Sequence, residues 1–160
     1  PDFEYTVNLA ASWKGFDLSA IFAYSIGGYI YNRDITMILH NGSLEGRDWS
    51  TEILKRWTPD NRYTDVPALS TTSNDWNSAS TRFLQNNSYM RLKNLTLSYN
   101  LPKQWISKLS LSSVQVYVQG DNLFTIHRNQ GLDPEQGITG ITYYRYPAMR
   151  TISGGINVSF

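Results

Sequence analysis

The sequence contains no cysteine. That removes disulfides, Cys-ligated zinc and thiol catalysis together. Charge is also scarce: charged residues make up 17% and the net charge is +1. The charged share is low for a soluble protein, and the balance gives no electrostatic case for a nucleic-acid partner. There are two histidines, His40 and His127, both in or beside loop-like stretches without an HxxxH spacing. No metal role is expected of them. No apolar run reaches the roughly eighteen residues of a membrane-crossing helix. A transmembrane β-strand needs no such run, so a membrane barrel stays open. The first residues, PDFEY, lack Met and a signal-peptide pattern, and they open directly in a strand-like alternation. The chain reads as a piece of something longer.

What is present is alternation and aromatic weight. Aromatics reach 14%, with eleven Tyr and five Trp. From Phe3, FEYTVNLAASW places Phe3, Tyr5, Val7, Leu9, Ala11 and Trp13 on one face. Lys14-Gly15 then offers a hairpin turn. FDLSAIFAYS repeats the pattern with Phe16, Leu18, Ala20, Phe22 and Tyr24, and the strand is expected to continue through GGYIYN. MRLKNLTLSYNLP alternates at Leu95, Leu97, Tyr99 and Leu101 until Pro102 ends it. SVQVYVQGDNLFTI alternates at Val114, Val116 and Val118. The terminal stretch from Thr151 to Phe160 alternates Ile152, Gly154, Ile156, Val158 and Phe160 with Thr151, Ser153, Gly155, Asn157 and Ser159.

Five antiparallel strands are therefore expected, joined short, long, short, long. The first long connection runs roughly from Arg33 to Leu84, the second from about His127 to Ala148. The first contains a helix candidate, WSTEILKRW, capped by Ser50 or Thr51, followed by turn-rich sequence without periodicity. Connections this long inside a compact domain are functional or disordered. Transmembrane barrels alternate short periplasmic turns with long extracellular loops, and this rhythm fits that parity. Trp13, Phe16, Tyr99 and Phe160 would all fall at the periplasmic ends of strands, on the apolar face, where barrels place interfacial aromatics. No Lys or Arg falls on that face in the middle of the strands. The other face carries Thr6, Asn8, Asn94, Thr96, Ser98, Gln115, Gln119, Thr151 and Asn157, which suits a wet or plug-filled lumen. A soluble β-sandwich would also alternate; parity and aromatic placement favour the barrel.

Several ordered stretches, NSYMRLKNLTLSYNLP, SVQVYVQGDNLFTI, GLDPE and YPAMRTISGGINVSF, resemble the C-terminal end of the SusC/RagA family of TonB-dependent outer-membrane transporters of Gram-negative bacteria. LKRWTPDNRYTDVP resembles a loop of the same family, and KGFDLSAIFAYSIGGYIYN the strand pair before it. The resemblance implies an all-β fold, with residues 1–160 supplying the C-terminal strands of a 22-stranded barrel and two long extracellular loops. The plug would lie outside this sequence. It further implies active import of oligosaccharides or peptides, driven by TonB through the N-terminal region, under a SusD-like surface lipoprotein acting as a lid. The terminal aromatic, Phe160, resembles the signal read by the barrel-assembly machinery. The alternative is a secreted β-sandwich that binds glycans.

No catalytic constellation, cofactor motif or metal cluster emerges, and no enzyme is expected. Asp133 and Glu135 in GLDPEQG could hold a cation, but a turn built on Asp-Pro explains them better. The Asn-x-Ser/Thr matches at Asn41 and Asn94 are read as chance. The loops carry the functional candidates. Trp49, Trp76, Tyr143, Tyr144 and Arg145 are expected to meet substrate or lid, because exposed aromatics grip sugars and protein partners. Trp57, Tyr63 and Tyr146 lie in the same loops, and Trp57 is expected to pack loop on loop.

Overall fold

The structure is a computed structural model of residues 1–160, described for all but 41, 43, 45, 74, 132 and 136–138, and without the side chain of Leu109. The strands, in chain order, are β1 (Phe3–Trp13), β2 (Phe16–Ile26), β3 (Tyr29–Asn32), β4 (Leu84–Asn86), β5 (Tyr89–Asn100), β6 (Ser113–His127), β7 (Ile141–Thr142) and β8 (Thr151–Ser159). Two short helices, α1 (Arg33–Ile38) and α2 (Lys103–Ile106), lie in the connections. The chain divides into two compact units. One comprises 1–28, 87–129 and 147–160, the other 29–86 and 130–146.

The first unit is a five-stranded sheet in the order β1-β2-β5-β6-β8, antiparallel throughout. All five expected strands join this one sheet; a sandwich would have divided them over two. Register keeps the apolar residues on one face. Tyr5 pairs Tyr24, Val7 pairs Phe22 and Trp13 pairs Phe16. Phe16 pairs Tyr99, Leu18 pairs Leu97 and Ala20 pairs Leu95. Leu97 pairs Val118, and Val116 pairs Ile156. This face is open in the unit itself: Leu9 is 56% exposed and Ile152 72%.

Two bulges preserve that face. Between Leu92 and Asn94 the register shifts, leaving Lys93 as an extra residue. On β6, Asn122 and Leu123 stand opposite the single Lys93 of β5, one residue in excess, with Asn122 at φ 52. A simple alternation would turn Leu92 to the polar face; the bulge returns it opposite Phe22 and Phe124. Leu123 lies over Gly120, where a Cβ would come within 2.7 Å of its side chain.

The opposite face is a lattice of short polar bonds. Asn94 donates to Asp121 at 2.8 Å, Gln119 donates to Asp121 at 3.1 Å, and Thr96 donates to Asn94 at 2.9 Å. Ser12 and Asn100 both donate to Asp17. Arg91, 3% exposed, donates from Nε to Thr125 at 2.9 Å. Neutral amides and hydroxyls thus satisfy the carboxylates, as buried polar groups require. Tyr117 stands on this face above Gly155. A Cβ at Gly155 would lie 2.8 Å from the Tyr117 hydroxyl and 2.9 Å from Cζ. Gly155→Ala is therefore expected to destabilise the sheet by about 1–3 kcal/mol, as overpacking does. A second change, Tyr117→Ser, should recover most of that loss in a denaturant melt.

The connections fall at opposite ends of the sheet by register. Lys14–Gly15, both at positive φ, close a two-residue turn between β1 and β2. Residues 101–112, including α2, join β5 to β6 at the same end. Both long connections leave from the other end. Trp13, Phe16 and Tyr99 meet at the short-turn end, where the Phe16 and Tyr99 rings lie 4.4 Å apart. Tyr5 and Tyr24 stack at 4.8 Å toward the opposite end. Phe160 follows β8 at the short-turn end and is 92% exposed; β8 itself stops at Ser159.

Three expectations need correction. The second strand does not run through GGYIYN. Gly27 and Gly28 both take positive φ, the chain leaves the sheet there, and β3 pairs with β4 and β7 instead. The fold is thus mostly β rather than all-β, with one short helix in each unit and a parallel β3–β7 pair in the second. The expected helix WSTEILKRW shortens to a 3-10 turn, Thr51–Lys55, capped by Ser50 through the Glu52 N–H. It ends at Arg56, which leaves the helical region at ψ 156, and Trp57 N bonds Val66 O at 2.7 Å; Pro59 disfavours helix at Thr58 as well.

Candidate functional site

The long connections are not slack. Residues 29–86 and 130–146 build a unit with its own core of Ile30, Leu39, Ile53, Val66 and Phe83, all buried. Tyr31 meets Phe83 edge-on at 6.1 Å.

Asn32 organises the unit. Its Oδ1 accepts from Ile35 N at 3.1 Å and caps α1. Its Nδ2 donates to the Gln130 carbonyl and to Gln85 Oε1. Gln130 N closes the group by donating to Gln85 at 2.8 Å. Two residues on, Asp34 fastens the second long segment. Thr142 Oγ1 donates to it at 3.1 Å and Tyr144 N at 2.9 Å. That bond holds Tyr144 at φ 47, a costly conformation for a tyrosine. Tyr144 Oη accepts from Arg47 at 3.3 Å. The Tyr143 ring is tilted against Tyr144 with centroids 4.5 Å apart, and the Arg33 guanidinium lies 4.6 Å from the Tyr143 ring.

These ties border a cavity of about 400 Å³. Ile35, Met37, Ile38 and Leu39 give it aliphatic walls, and Asp34, Glu52, Tyr144 and Arg145 supply polar groups. An apolar concavity with a few convergent polar groups is the ordinary form of a ligand pocket. Of the five expected loop residues, Tyr144 and Arg145 line it. The other three lie outside its lining. Trp49 meets the fully buried His40 edge-on at 5.0 Å. Trp76 donates from Nε1 to Leu39 O at 2.6 Å, and the Arg82 guanidinium covers its ring at 3.6 Å. Burial lowers the Arg82 pKa, against the opposing charges of Asp65 and Glu52. Trp57 and Trp76 line a shallower hollow beside Val66 and Pro67. With Trp76 stacked and hydrogen-bonded, Trp57 is the open ring there.

Sequence reasoning missed Asp34, Glu52 and the aliphatic wall from α1. A signal was present, since Asn32 followed by an acid two residues on is a helix-start pattern. Asp133 is buried and its Oδ1 accepts from Glu135 N at 2.9 Å, a turn of the Asx kind. Gln136 and Gly137 of that motif lie outside the described residues, as does Asn41. Among the described residues, no three His, Asp or Glu side chains converge on a metal-sized site.

No family model matches the chain. It is 33% identical to TonB-dependent receptor P3 of Formosa agariphila, over 100% of the chain and 16% of that protein. It is 28% identical to TonB-dependent receptor SusC of Bacteroides thetaiotaomicron, over 92% of the chain and 14% of SusC. Among solved structures, the RagAB peptide importer in its open-open state superposes with a TM-score of 0.86 at 35% identity, covering 98% of the chain and 17% of that chain. The chain thus spans only a small part of the length of the relatives it matches. With the match running over nearly the whole chain, the chain belongs to the SusC/RagA family of TonB-dependent receptors.

Proposed function

We propose that the chain supplies the C-terminal strands of an outer-membrane importer, a 22-stranded barrel that takes up oligosaccharides or peptides. The observation that carries this reading is the apolar face continuous across five strands, backed by a polar face of satisfied hydrogen bonds. Lipid covers the first, and a wet or plugged lumen meets the second. β1 and β8 each have an unpaired outer edge in the sheet. Further strands of the parent barrel complete them, since an open edge has no place in hydrocarbon. Trp13, Phe16, Tyr99 and Phe160 then sit at the periplasmic interface, and Phe160 also serves recognition by the barrel-assembly machinery.

The two long connections are extracellular. There the loop unit meets cargo and a SusD-like lipoprotein lid, while TonB acts through the N-terminal region. The relatives' names, receptor and peptide importer, support transport over catalysis. These residues break no bond in such a protein.

This chain has no cysteine of its own, so single cysteines placed in it test the orientation once any accessible cysteine elsewhere in the full-length protein is replaced. Tyr63 is fully exposed in the first long connection, and Lys108 lies in the short connection at the other end of the sheet. In the full-length protein on intact cells, Tyr63→Cys should react with a membrane-impermeant maleimide and Lys108→Cys should not. Labelling of Lys108→Cys alone would reverse the orientation, and equal labelling of both would remove the barrel.

A further inference from the structure

The second long segment is held unevenly. Its part up to Thr142 is anchored in the loop unit. Tyr31 N donates to Gly140 O at 2.8 Å, β7 pairs with β3, and Thr142 is buried. Beyond Thr142 the anchoring thins. Residues 143–146 are all exposed. Among the described residues, Tyr144 is the one position of these four with hydrogen bonds, through its N–H to Asp34 Oδ1 and through its Oη from Arg47. The conformation held there is unfavourable. At φ 47 the Tyr144 Cβ crowds the backbone, a cost that glycine escapes. The charge-assisted bond to Asp34, 2.9 Å long, opposes that cost. A strained stretch tied by a few exposed contacts belongs to the low-stability end of a structure, where local opening is easiest.

Position gives the strain a consequence. The segment lines the α1 cavity twice, with Gln130 and Gly131 near its start and with Tyr144 and Arg145 near its end. The start is fixed, because Asn32 donates to Gln130 O and Gln130 N donates to Gln85. The end has Asp34 as its backbone tie. We propose that residues 143–146 are a strap that turns on the link between Thr142 and Tyr144, with Asp34 as its latch. Latched, Tyr144 and Arg145 complete the cavity. Released, Tyr144 leaves its strained conformation and the α1 wall opens to solvent. Asp34 is thus a positioning residue that acts through Tyr144. The latch is a property of the loop unit and does not depend on what the parent protein imports.

The test uses the purified full-length protein, with any cysteine outside this chain replaced and Met37→Cys introduced as the probe. Met37 lines the cavity from α1 and is partly buried. Its replacement thiol should react with a bulky maleimide about tenfold faster after Asp34→Ala, the factor by which a left-handed conformation is disfavoured once its tie is gone. Asp34→Asn removes the same charge but keeps an acceptor for the Tyr144 N–H, and its rate should fall between Asp34→Ala and the wild type. With Asp34 intact, Tyr144→Ala and Tyr144→Gly both lose the ring contact and the Arg47 bond, yet only glycine takes φ 47 without strain. Tyr144→Ala should therefore label severalfold faster than Tyr144→Gly. Val66→Cys, at a buried position of the loop core, reports the unit itself and should stay unlabelled in every background. A Met37→Cys rate unchanged by Asp34→Ala, equal rates for Tyr144→Ala and Tyr144→Gly, or labelling of Val66→Cys along with Met37→Cys would each overturn the strap.

Discussion

Replacing Leu97 by lysine is expected to prevent the full-length protein from reaching its folded, heat-modifiable form. Leu97 lies between Leu18 and Val118 in the middle of the apolar face. If lipid covers that face, a lysine near the bilayer midplane costs about 2–4 kcal/mol. That is a large share of the few kcal/mol by which proteins are stable. Thr151→Lys provides the comparison. It sits on the opposite face, paired with Asp121 and exposed. There the new ammonium meets water and a carboxylate, and a change within about 1 kcal/mol is expected. Band-shift gels of outer-membrane fractions read both variants. Equal recovery of the two would mean that no lipid meets the Leu97 face.

Phe83→Ala is the second large effect, and it should act on the other unit alone. Phe83 is 1% exposed, packed edge-on against Tyr31 in the loop core. Truncating a buried phenylalanine costs about 3–5 kcal/mol through lost burial and the cavity left behind. The loop unit has a small core, so such a loss should open it to protease near Arg47 and Arg145 on intact cells. Heat-dependent migration should persist, because no strand of the five-stranded sheet contains Phe83. Joint loss of barrel and loops would show that the two units fold as one.

The two units differed in how much their sequence disclosed, and the reason is range. Each sheet strand carries its own period-2 pattern, so Leu9, Leu97 or Ile156 can be placed on a face from its neighbours alone. Even so, the bulges at Lys93 and at Asn122–Leu123 were invisible, since a bulge is defined by the partner strand. In the loop unit almost nothing is local. Asn32 bonds the carbonyl of Gln130, and Asp34 bonds Thr142 and Tyr144 from the far segment. No periodicity encodes such ties, which is why the stretch after WSTEILKRW read as turns without periodicity. Of the loop residues that aromatic content singled out, Tyr144 and Arg145 line the cavity, and Trp49, Trp76 and Tyr143 lie outside its lining. Trp76 has its indole N–H and one ring face committed to packing, while Ile38 and Glu52, plain by type, wall the cavity. Helix WSTEILKRW failed for a local reason that could have been weighed, the proline two residues after Trp57.

The central claim is that this sheet is part of a lipid-embedded barrel. An antibody to the exposed Tyr143–Tyr146 stretch, used on fractionated native cells with and without boiling, tests it most directly. The account predicts a band much larger than 18.3 kDa, in the outer membrane, whose migration changes on boiling. A soluble band near 18.3 kDa that migrates identically in both lanes would contradict it.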